Sequence, residues 1–393
     1  MSKARDASKY PIVTAGIADD AITGAKIENN PTIAGNLTVS GNTTVSGGFL
    51  PTDPVTNKNI IINGNFAVHQ RGGTITGNGD YNLDRWTTED SGNIDNLVMN
   101  ITQDGDTPSE VGEGTCLKYQ CKTVESAVDA DEFYALVQHV EARNLQHLGF
   151  GAAEAKSFTV SFWVKSSLTG VFGFSIYQDD GGDIVNGTYT ISSAGTWEKK
   201  TFTFAGNTAD TIANDSTRGW KVQWGLWVGS NYNTTASSTW STYTNGKRFG
   251  GHVQNGLATT DESTWQLAFV QVEAGSIATP FEHESYAETL TKCQRYYEVI
   301  TLGSGGNPGI PVNIGQGYNN RKGCGPFAFK VDKRVSPTIA NATIGIDGGD
   351  ATHTFVFQSK TWGTIGGSTS STDIGSGGDV TENDITINAN AEI

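Results

Sequence analysis

The run Phe158-Thr159-Val160-Ser161-Phe162-Trp163-Val164-Lys165 decides the fold class. Bulky apolar residues stand at 158, 160, 162 and 164, and the intervening Thr159, Ser161 and Lys165 turn outward. Successive side chains of an extended chain point to opposite faces, so this alternation describes a strand with one face in a core. The pattern recurs in both directions. Before it come Asn59 to Phe66, Tyr81 to Trp86 after a Gly-rich turn, the runs around Leu97-Met99-Ile101 and Leu117-Tyr119, and Phe133 to Val140. After it come Phe172-Phe174-Ile176, Tyr189-Ile191, Trp197 to Phe204, Val222 to Val228 and Trp265 to Glu273. Short period-two runs divided by Gly, Asn and Asp turns predict a two-sheet sandwich over residues 59–283, a jelly roll of about 220 residues. A domain of that size buries a full core of its own.

Composition agrees with an all-β chain. Of 393 residues, 49 are Gly, 10% are aromatic and only 17% are charged, which suits neither a helical bundle nor a disordered tail. No apolar run reaches the length of a membrane span, so no membrane insertion is expected. Met1-Ser2-Lys3-Ala4-Arg5-Asp6 lacks the apolar centre of a secretory signal, and a cytoplasmic origin is expected. The net charge of −15 is spread without a basic patch, which disfavours nucleic acid as a partner. Cysteines stand at 116, 121, 293 and 324. Cys116 and Cys121 lie five apart in an alternating run and so face opposite ways, which argues against a bond between them. Without a C-x-x-C pair there is no zinc signal, and buried free thiols are expected.

The N-terminal region reads differently. From Asn30 to Gly47 a six-residue unit repeats: Asn30-Pro31-Thr32-Ile33-Ala34-Gly35, Asn36-Leu37-Thr38-Val39-Ser40-Gly41, Asn42-Thr43-Thr44-Val45-Ser46-Gly47. Its only in-phase apolar residues are Ile33, Val39 and Val45, too few for one chain to bury. Three chains wound about one axis would place these aliphatics at its centre, a trimeric β-repeat shaft over residues 30–58 with its junction at Pro51 and Pro54. A Gly/Ser/Thr/Asn linker is the alternative, and strict phase over three units favours the shaft. Ahead of it, Ile17, Ile22 and Ile27 recur every five residues within 1–29, the look of a small anchoring segment or of a frayed terminus. Past Gly275, Ser285-Tyr286-Ala287-Glu288 fits a capping box, with Tyr286, Leu290, Cys293 and Tyr297 at helical spacing behind it. A linking helix is expected from Tyr286 to Glu298, within 284–298, its stripe between two domains. A C-terminal β-sandwich tip over 299–393 follows, with Gly303–Gly309 and Gly363–Gly378 as long exposed loops.

These stretches together resemble the tail fibres of tailed bacteriophages, especially short-tailed phages. The resemblance is carried by Ile60-Ile61-Ile62-Asn63-Gly64-Asn65-Phe66 with Gln70-Arg71-Gly72 and Asp84-Arg85-Trp86, and by Trp265-Gln266-Leu267 to Gln271-Val272-Glu273-Ala274-Gly275 with Ala278-Thr279-Pro280-Phe281-Glu282. Tyr286 to Tyr297, Ser336-Pro337-Thr338 and the closing Asn388-Ala389-Asn390-Ala391-Glu392-Ile393 add to it. It implies a homotrimeric fibre on the virion, docked by its N-terminus on a tail adaptor or nozzle protein. It further implies a jelly roll similar to carbohydrate-binding modules and a tip that meets host polysaccharide or lipopolysaccharide.

No nucleophile elbow, Walker loop, dinucleotide fingerprint or H-E-x-x-H occurs, and no enzyme, cofactor or metal site is expected. Asp179-Asp180 with Asp183 resembles a carboxylate pair or a calcium loop, yet Gly181-Gly182 reads first as a hairpin turn. Asp129-Ala130-Asp131-Glu132 has the same ambiguity. Aromatics offer a better lead. Trp224 alternates with Val222 and Leu226 and belongs to the core, whereas Tyr232, Trp240 and Tyr243 lie in a polar loop with Asn233 and are expected to face solvent. Rings there would stack on sugar C–H faces while amides fix orientation. The competing reading is that they cover the sandwich edge or a trimer interface. Trp362, in a Gly/Ser loop, marks a second candidate surface. Besides the fibre, a glycan-degrading spike and a binding module of a secreted enzyme are the alternatives considered.

Overall fold

The computed structural model describes residues 57–76, 81–92, 94, 97–112, 114–302, 313–315, 322–340, 345–346, 349–350, 352–368 and 385–392. These fall within one compact unit, residues 53–393. The shaft residues Ile33, Val39 and Val45 and the anchor residues Ile17, Ile22 and Ile27 lie outside the described residues, as does the Gly303–Gly309 loop.

Twelve strands build the sandwich: β1 (Ile75–Thr76), β2 (Trp86–Ser91), β3 (Val98–Asp104), β4 (Cys116–Thr123), β5 (Phe133–Glu141), β6 (Phe158–Ser166), β7 (Gly170–Gln178), β8 (Asp183–Ile191), β9 (Glu198–Phe204), β10 (Arg218–Val228), β11 (Ser241–Thr242) and β12 (Thr264–Ala274). They form two six-stranded antiparallel sheets, ordered β1-β3-β4-β12-β6-β9 and β11-β8-β7-β10-β5-β2. This is the jelly-roll sandwich expected from the alternation. Phe158, Val160, Phe162 and Val164 from the first sheet meet Phe172, Phe174, Ile176, Trp220, Val222 and Trp224 from the second in one core. Ring contacts run through this core, and the Phe162–Trp224 contact joins the two layers. Trp224 lies 5.0 Å from Phe174, 5.7 Å from Phe162 and 5.6 Å from Trp86, and Tyr134 stacks on Trp227 at 4.3 Å. Such pairs add roughly 0.5–1.5 kcal/mol each beyond burial.

Cys116 and Cys121 do face opposite sides of β4: Cys121 joins the central core and Cys116 a cluster with Ala268 and Phe269 on the outer side. Both are free thiols, as is buried Cys293. Thr159 and Ser161 point outward as expected but are not solvated, because the chain beyond β12 folds back over them; Thr159 donates to the Gly275 carbonyl at 2.8 Å.

Asn59 to Phe66 is not a strand. Asn63 and Phe66 take positive φ, and the Asn63 amide bonds the backbone of Val68 and Asp84, holding a turn. The turn lies across a bulge in β12, where the Ile60 amide donates to Val272 and the Val270 amide to Gly64. A Cβ on Gly64 would sit 2.1 Å from the Val270 carbonyl oxygen.

The capping box at Ser285 and Glu288 forms and opens the helix α1 (Tyr286–Gln294). It is shorter than expected, because Arg295 and Tyr296 reach back to Glu141 of β5 and Tyr297 begins β13 (Tyr297–Leu302). The buried face carries Thr289, Cys293 and Gln294, while Tyr286 is 58% exposed. Eight further short strands follow: β14 (Asn313–Gly315), β15 (Lys322–Ala328), β16 (Thr338–Ala340), β17 (Gly345–Ile346), β18 (Gly349–Asp350), β19 (Thr352–Gln358), β20 (Trp362–Ser368) and β21 (Ile385–Asn390). They make the sheets β13-β21-β16 and β14-β15-β20-β19 and the ribbon β17-β18. Residues Gly363 to Ser368, expected in a loop, belong to β20 because they pair with both β15 and β19. No helix among the described residues is long and apolar enough to cross a membrane.

Candidate functional site

The loop singled out by its aromatics crosses the outer face of the second sheet. Beyond β10 the chain turns at Gly229, where a Cβ would lie 2.0 Å from the Asp129 carbonyl oxygen. It returns with the Phe249 amide bonded to Tyr232 and Gly251 to Asn233. Phe249 is fully buried on Phe133, Ala135, Val137 and Val228, so this end of the sheet is closed. Tyr232 joins that cluster edge-on to Phe133 at 4.8 Å, with its hydroxyl 3.0 Å from Ser91 Oγ. The Asn233 side chain donates to the His252 carbonyl at 3.1 Å. Trp240 caps the main core beside Phe150, Phe158 and Trp220, and its indole N–H donates to the Ala205 carbonyl at 2.8 Å. Tyr232 and Trp240 are therefore half-buried, each with one side of its ring against the sandwich. Tyr243 stays at the surface, half-buried and edge-on to Tyr177 at 5.3 Å.

Tyr177 leads to a set of residues that the sequence did not single out. Since Phe174 and Ile176 of β7 fill the core, Tyr177 points outward, and by the same parity so do Lys221 of β10 and His139 of β5. The register places Lys221 directly between Tyr177 and His139. Tyr81 continues the row, its hydroxyl 3.5 Å from His139 Nδ1. The result is a band Tyr243, Tyr177, Lys221, His139, Tyr81 across three neighbouring strands, each about 4.8 Å from the next.

Beside the band, Glu89 of β2 accepts from His139 Nε2 at 3.1 Å, Lys221 Nζ at 2.8 Å and Arg248 Nη2 at 2.6 Å. Arg248 rests over the Phe133 ring at 4.1 Å. Burial alone would raise the Glu89 pKa, but the His139 hydrogen bond and the two cations together hold it far below the usual carboxylate range. Burial lowers His139, with Glu89 only partly offsetting this, so the imidazole is neutral near pH 7, with Nε2–H facing Glu89 and Nδ1 facing Tyr81. A carboxylate fixed in its ionised form is the opposite of what a general acid needs. What the band offers is three half-buried tyrosine rings and the Lys221 ammonium, held by a buried imidazole.

The acidic turns are bound up structurally. Asp179 makes a two-point pair with Arg218 at 2.8 and 3.0 Å, Asp180 accepts from the Ala213 amide, and Asp183 accepts from Asn207. In the Asp129–Glu132 turn, Glu132 accepts from the Asp129 amide. A pocket lined by Val128, Gln254, Gly256, Ala258 and Thr259 has a volume of about 140 Å³, below the several hundred Å³ of an enclosed ligand site, so the open sheet face is the better candidate. Trp362 is 43% exposed at the start of β20 and is not brought near the band by any described contact.

No known family profile and no curated protein match this sequence. Among solved structures, the chain is similar to the enzymatically active domain of tailspike protein 4 of bacteriophage CBA120, with 13% identity over 55% of this chain and 21% of that one and a TM-score of 0.30. It is also similar to TmCBM61 in complex with β-1,4-galactotriose, with 12% identity over 56% of this chain and 99% of that one and a TM-score of 0.27. A third similarity is to the family 11 carbohydrate-binding module of the cellulosomal cellulase Lic26A-Cel5E of Clostridium thermocellum, with 9% identity over 54% and 98% of the two chains and a TM-score of 0.27. The chain spans 21% of the tailspike domain's length. The jelly-roll assignment itself stands on the strand order and register given above.

Proposed function

We propose that this chain is an adhesive, non-enzymatic protein whose sandwich binds a saccharide across the band Tyr243, Tyr177, Lys221, His139 and Tyr81, and that it serves as the homotrimeric tail fibre of a tailed bacteriophage. The band is the observation that carries the binding reading: the half-buried rings of Tyr243, Tyr177 and Tyr81 flank Lys221, while the buried His139 fixes Tyr81 from below, and sugar rings with C–H faces and hydroxyls require such ring faces beside a fixed polar group. The fibre reading draws on the six-residue repeat and on the motifs that resemble phage tail fibres. In this reading residues 1–29 dock on the virion tail, 30–58 form the shaft and junction, 59–283 the binding sandwich, 284–298 the link and 299–393 the tip. The test is competition: purified full-length chain is added to host cells together with polysaccharide and lipopolysaccharide fractions from the same host. Blocking of phage adsorption by the chain, and binding to a fraction that Tyr177→Ala weakens about tenfold, support it. Release of reducing ends from any fraction, or a single folded subunit in sedimentation, overturns it.

A further inference from the structure

The outer face of the first sheet carries a second row of the same kind, and none of its residues is needed by the band. Of the nine tryptophans, Trp86, Trp220, Trp224, Trp227 and Trp265 are at most 1% exposed, so their role is packing. Trp163 and Trp197 are half-buried and belong to one outer cluster on Cys116, Ala268 and Phe269. The register pairs Trp163 with Lys199 and Val164 with Glu198, and continued one step past the start of β9 it sets Lys165 opposite Trp197, in keeping with the 5.4 Å from Lys165 Nζ to that ring. The two indoles are thus diagonal neighbours on one face, about 7–8 Å apart at their backbones.

Polar groups between them are held in place. Asp106 accepts from the Trp197 indole at 3.1 Å, from Lys165 and from Gln266 at 3.4 Å, while Lys165 lies 5.4 Å from the Trp197 ring centre. Gln266 sits between Lys165 of β6 and Lys118 of β4, and Lys118 is neutralised by Asp104 at 3.1 Å. Each of these lysines has its own carboxylate, so the row presents hydrogen-bonding groups and ring faces with little net charge; Lys199 remains as a cation on the exposed edge. A protein partner would bury this face around an apolar centre. Two separated indoles with pinned donors and acceptors instead match a polyhydroxylated, uncharged chain.

We propose that Trp163, Trp197, Lys165 and Asp106 form a second saccharide-binding platform, specific for neutral glycans, on the sheet opposite the band, with the buried Gln266 holding Asp106 in place. Two sites on one subunit raise avidity for a polymeric ligand through effective concentration.

The test uses full-length chain carrying Tyr177→Ala and Tyr243→Ala, which disable the band, in affinity electrophoresis through dextran, laminarin, galactan and agarose. Retardation by at least one polymer is expected, falling about tenfold with Trp163→Ala and Trp197→Ala and less with Trp163→Phe. In parallel, N-bromosuccinimide oxidation followed by peptide mass spectrometry reads the sites without substitution: the retarding polymer should protect Trp163 and Trp197 but not Trp362. Retardation by none of the four polymers, or binding that is indifferent to both tryptophans, overturns the proposal. Retardation that the band variants leave at full strength, and that Trp163→Ala and Trp197→Ala remove, would fault the first site and leave this one standing.

Discussion

Arg85 and Glu392, 307 positions apart, form an ion pair inside the protein, their side chains 1% and 4% exposed. The Arg85 guanidinium lies 3.5 Å from the Tyr296 ring centre and also donates to the His139 carbonyl. Arg71 stands alongside, 3.5 Å from Glu392, 3.7 Å from Asp84 and over the Tyr297 ring at 3.6 Å. From the other side Arg334 donates to the carbonyls of Ser216, Ala391 and Glu392 at 2.7–2.9 Å. The start of the sandwich, the residues after α1 and the end of the chain are therefore bolted at one point.

Removing Glu392 leaves Arg85 buried without its counter-charge, and breaking such a pair typically costs about 3–5 kcal/mol. Glu392→Gln should lower unfolding free energy by roughly that amount in urea titration, whereas Glu392→Gln in an Arg85→Met background should cost much less. A change under about 1 kcal/mol in the first variant would show that water compensates Arg85 instead.

These contacts explain what was legible in the sequence and what was not. The motifs Gln70-Arg71, Asp84-Arg85-Trp86, Arg295-Tyr296-Tyr297 and the closing Ala391-Glu392 stand out as separate stretches, yet they meet at this bolt and are structural. Alternation placed Trp224 in the core correctly, because parity is local. Tyr232 and Tyr243 share one polar loop, and nothing local separates them; both are half-buried, but Tyr232 packs on Phe133 and bonds Ser91, residues about a hundred or more positions away. Tyr177, Lys221 and His139 each show outward parity, but only the order of strands reveals that they are neighbours. Trp163 stood in the deciding run at an outward position, a signal available from parity alone.

His252 predicts a pH dependence. Its Nδ1 accepts from the Gly173 amide at 3.1 Å, its ring lies edge-on to Phe172 at 5.9 Å, and burial lowers its pKa to about 3. Between the unfolded value of 6.5 and this folded value the unfolded chain binds the extra proton, so stability falls as pH drops through that window. The contribution is about 1.4 kcal/mol per pH unit. NMR should find the ring neutral at pH 5, and His252→Asn should flatten the stability profile between pH 6 and 4. A ring that titrates near 6.5 in the folded protein sinks this account.

Glu273 carries the second structural motif. It is 3% exposed and accepts from the Thr279 amide at 2.8 Å, the Thr279 hydroxyl at 2.6 Å and Gln271 Nε2 at 2.8 Å. Gln271 in turn accepts from the Glu282 amide, and Glu282 from the Asn59 amide. This chain fastens the segment leaving β12 to the one that enters the sandwich. Glu273→Ala removes the acceptor of the Thr279 amide and hydroxyl and of Gln271 Nε2, and should cost about 1–3 kcal/mol. Hydrogen exchange at the Thr279 amide should quicken at least tenfold, and unchanged protection there would refute the latch.

Binding and stability should separate within the aromatic loop. Tyr177 and Tyr243 are half-buried at the surface and touch each other, so Tyr177→Ala or Tyr243→Ala removes ring area facing outward while leaving the core intact. Loss of one stacking ring is worth about 1.4 kcal/mol, or tenfold in affinity, with less than about 1 kcal/mol lost from stability. Tyr232 should behave in the opposite way. Tyr232→Phe deletes the bond to Ser91 and Tyr232→Ala opens a hole beside Phe133, lowering stability by about 1 and 3 kcal/mol respectively, with affinity for host polysaccharide nearly unchanged in the Phe variant. Calorimetric titration and urea unfolding on the same four variants decide the matter: a Tyr232→Phe variant that binds worse than Tyr243→Ala would move the site from the band to the covered end of the sheet.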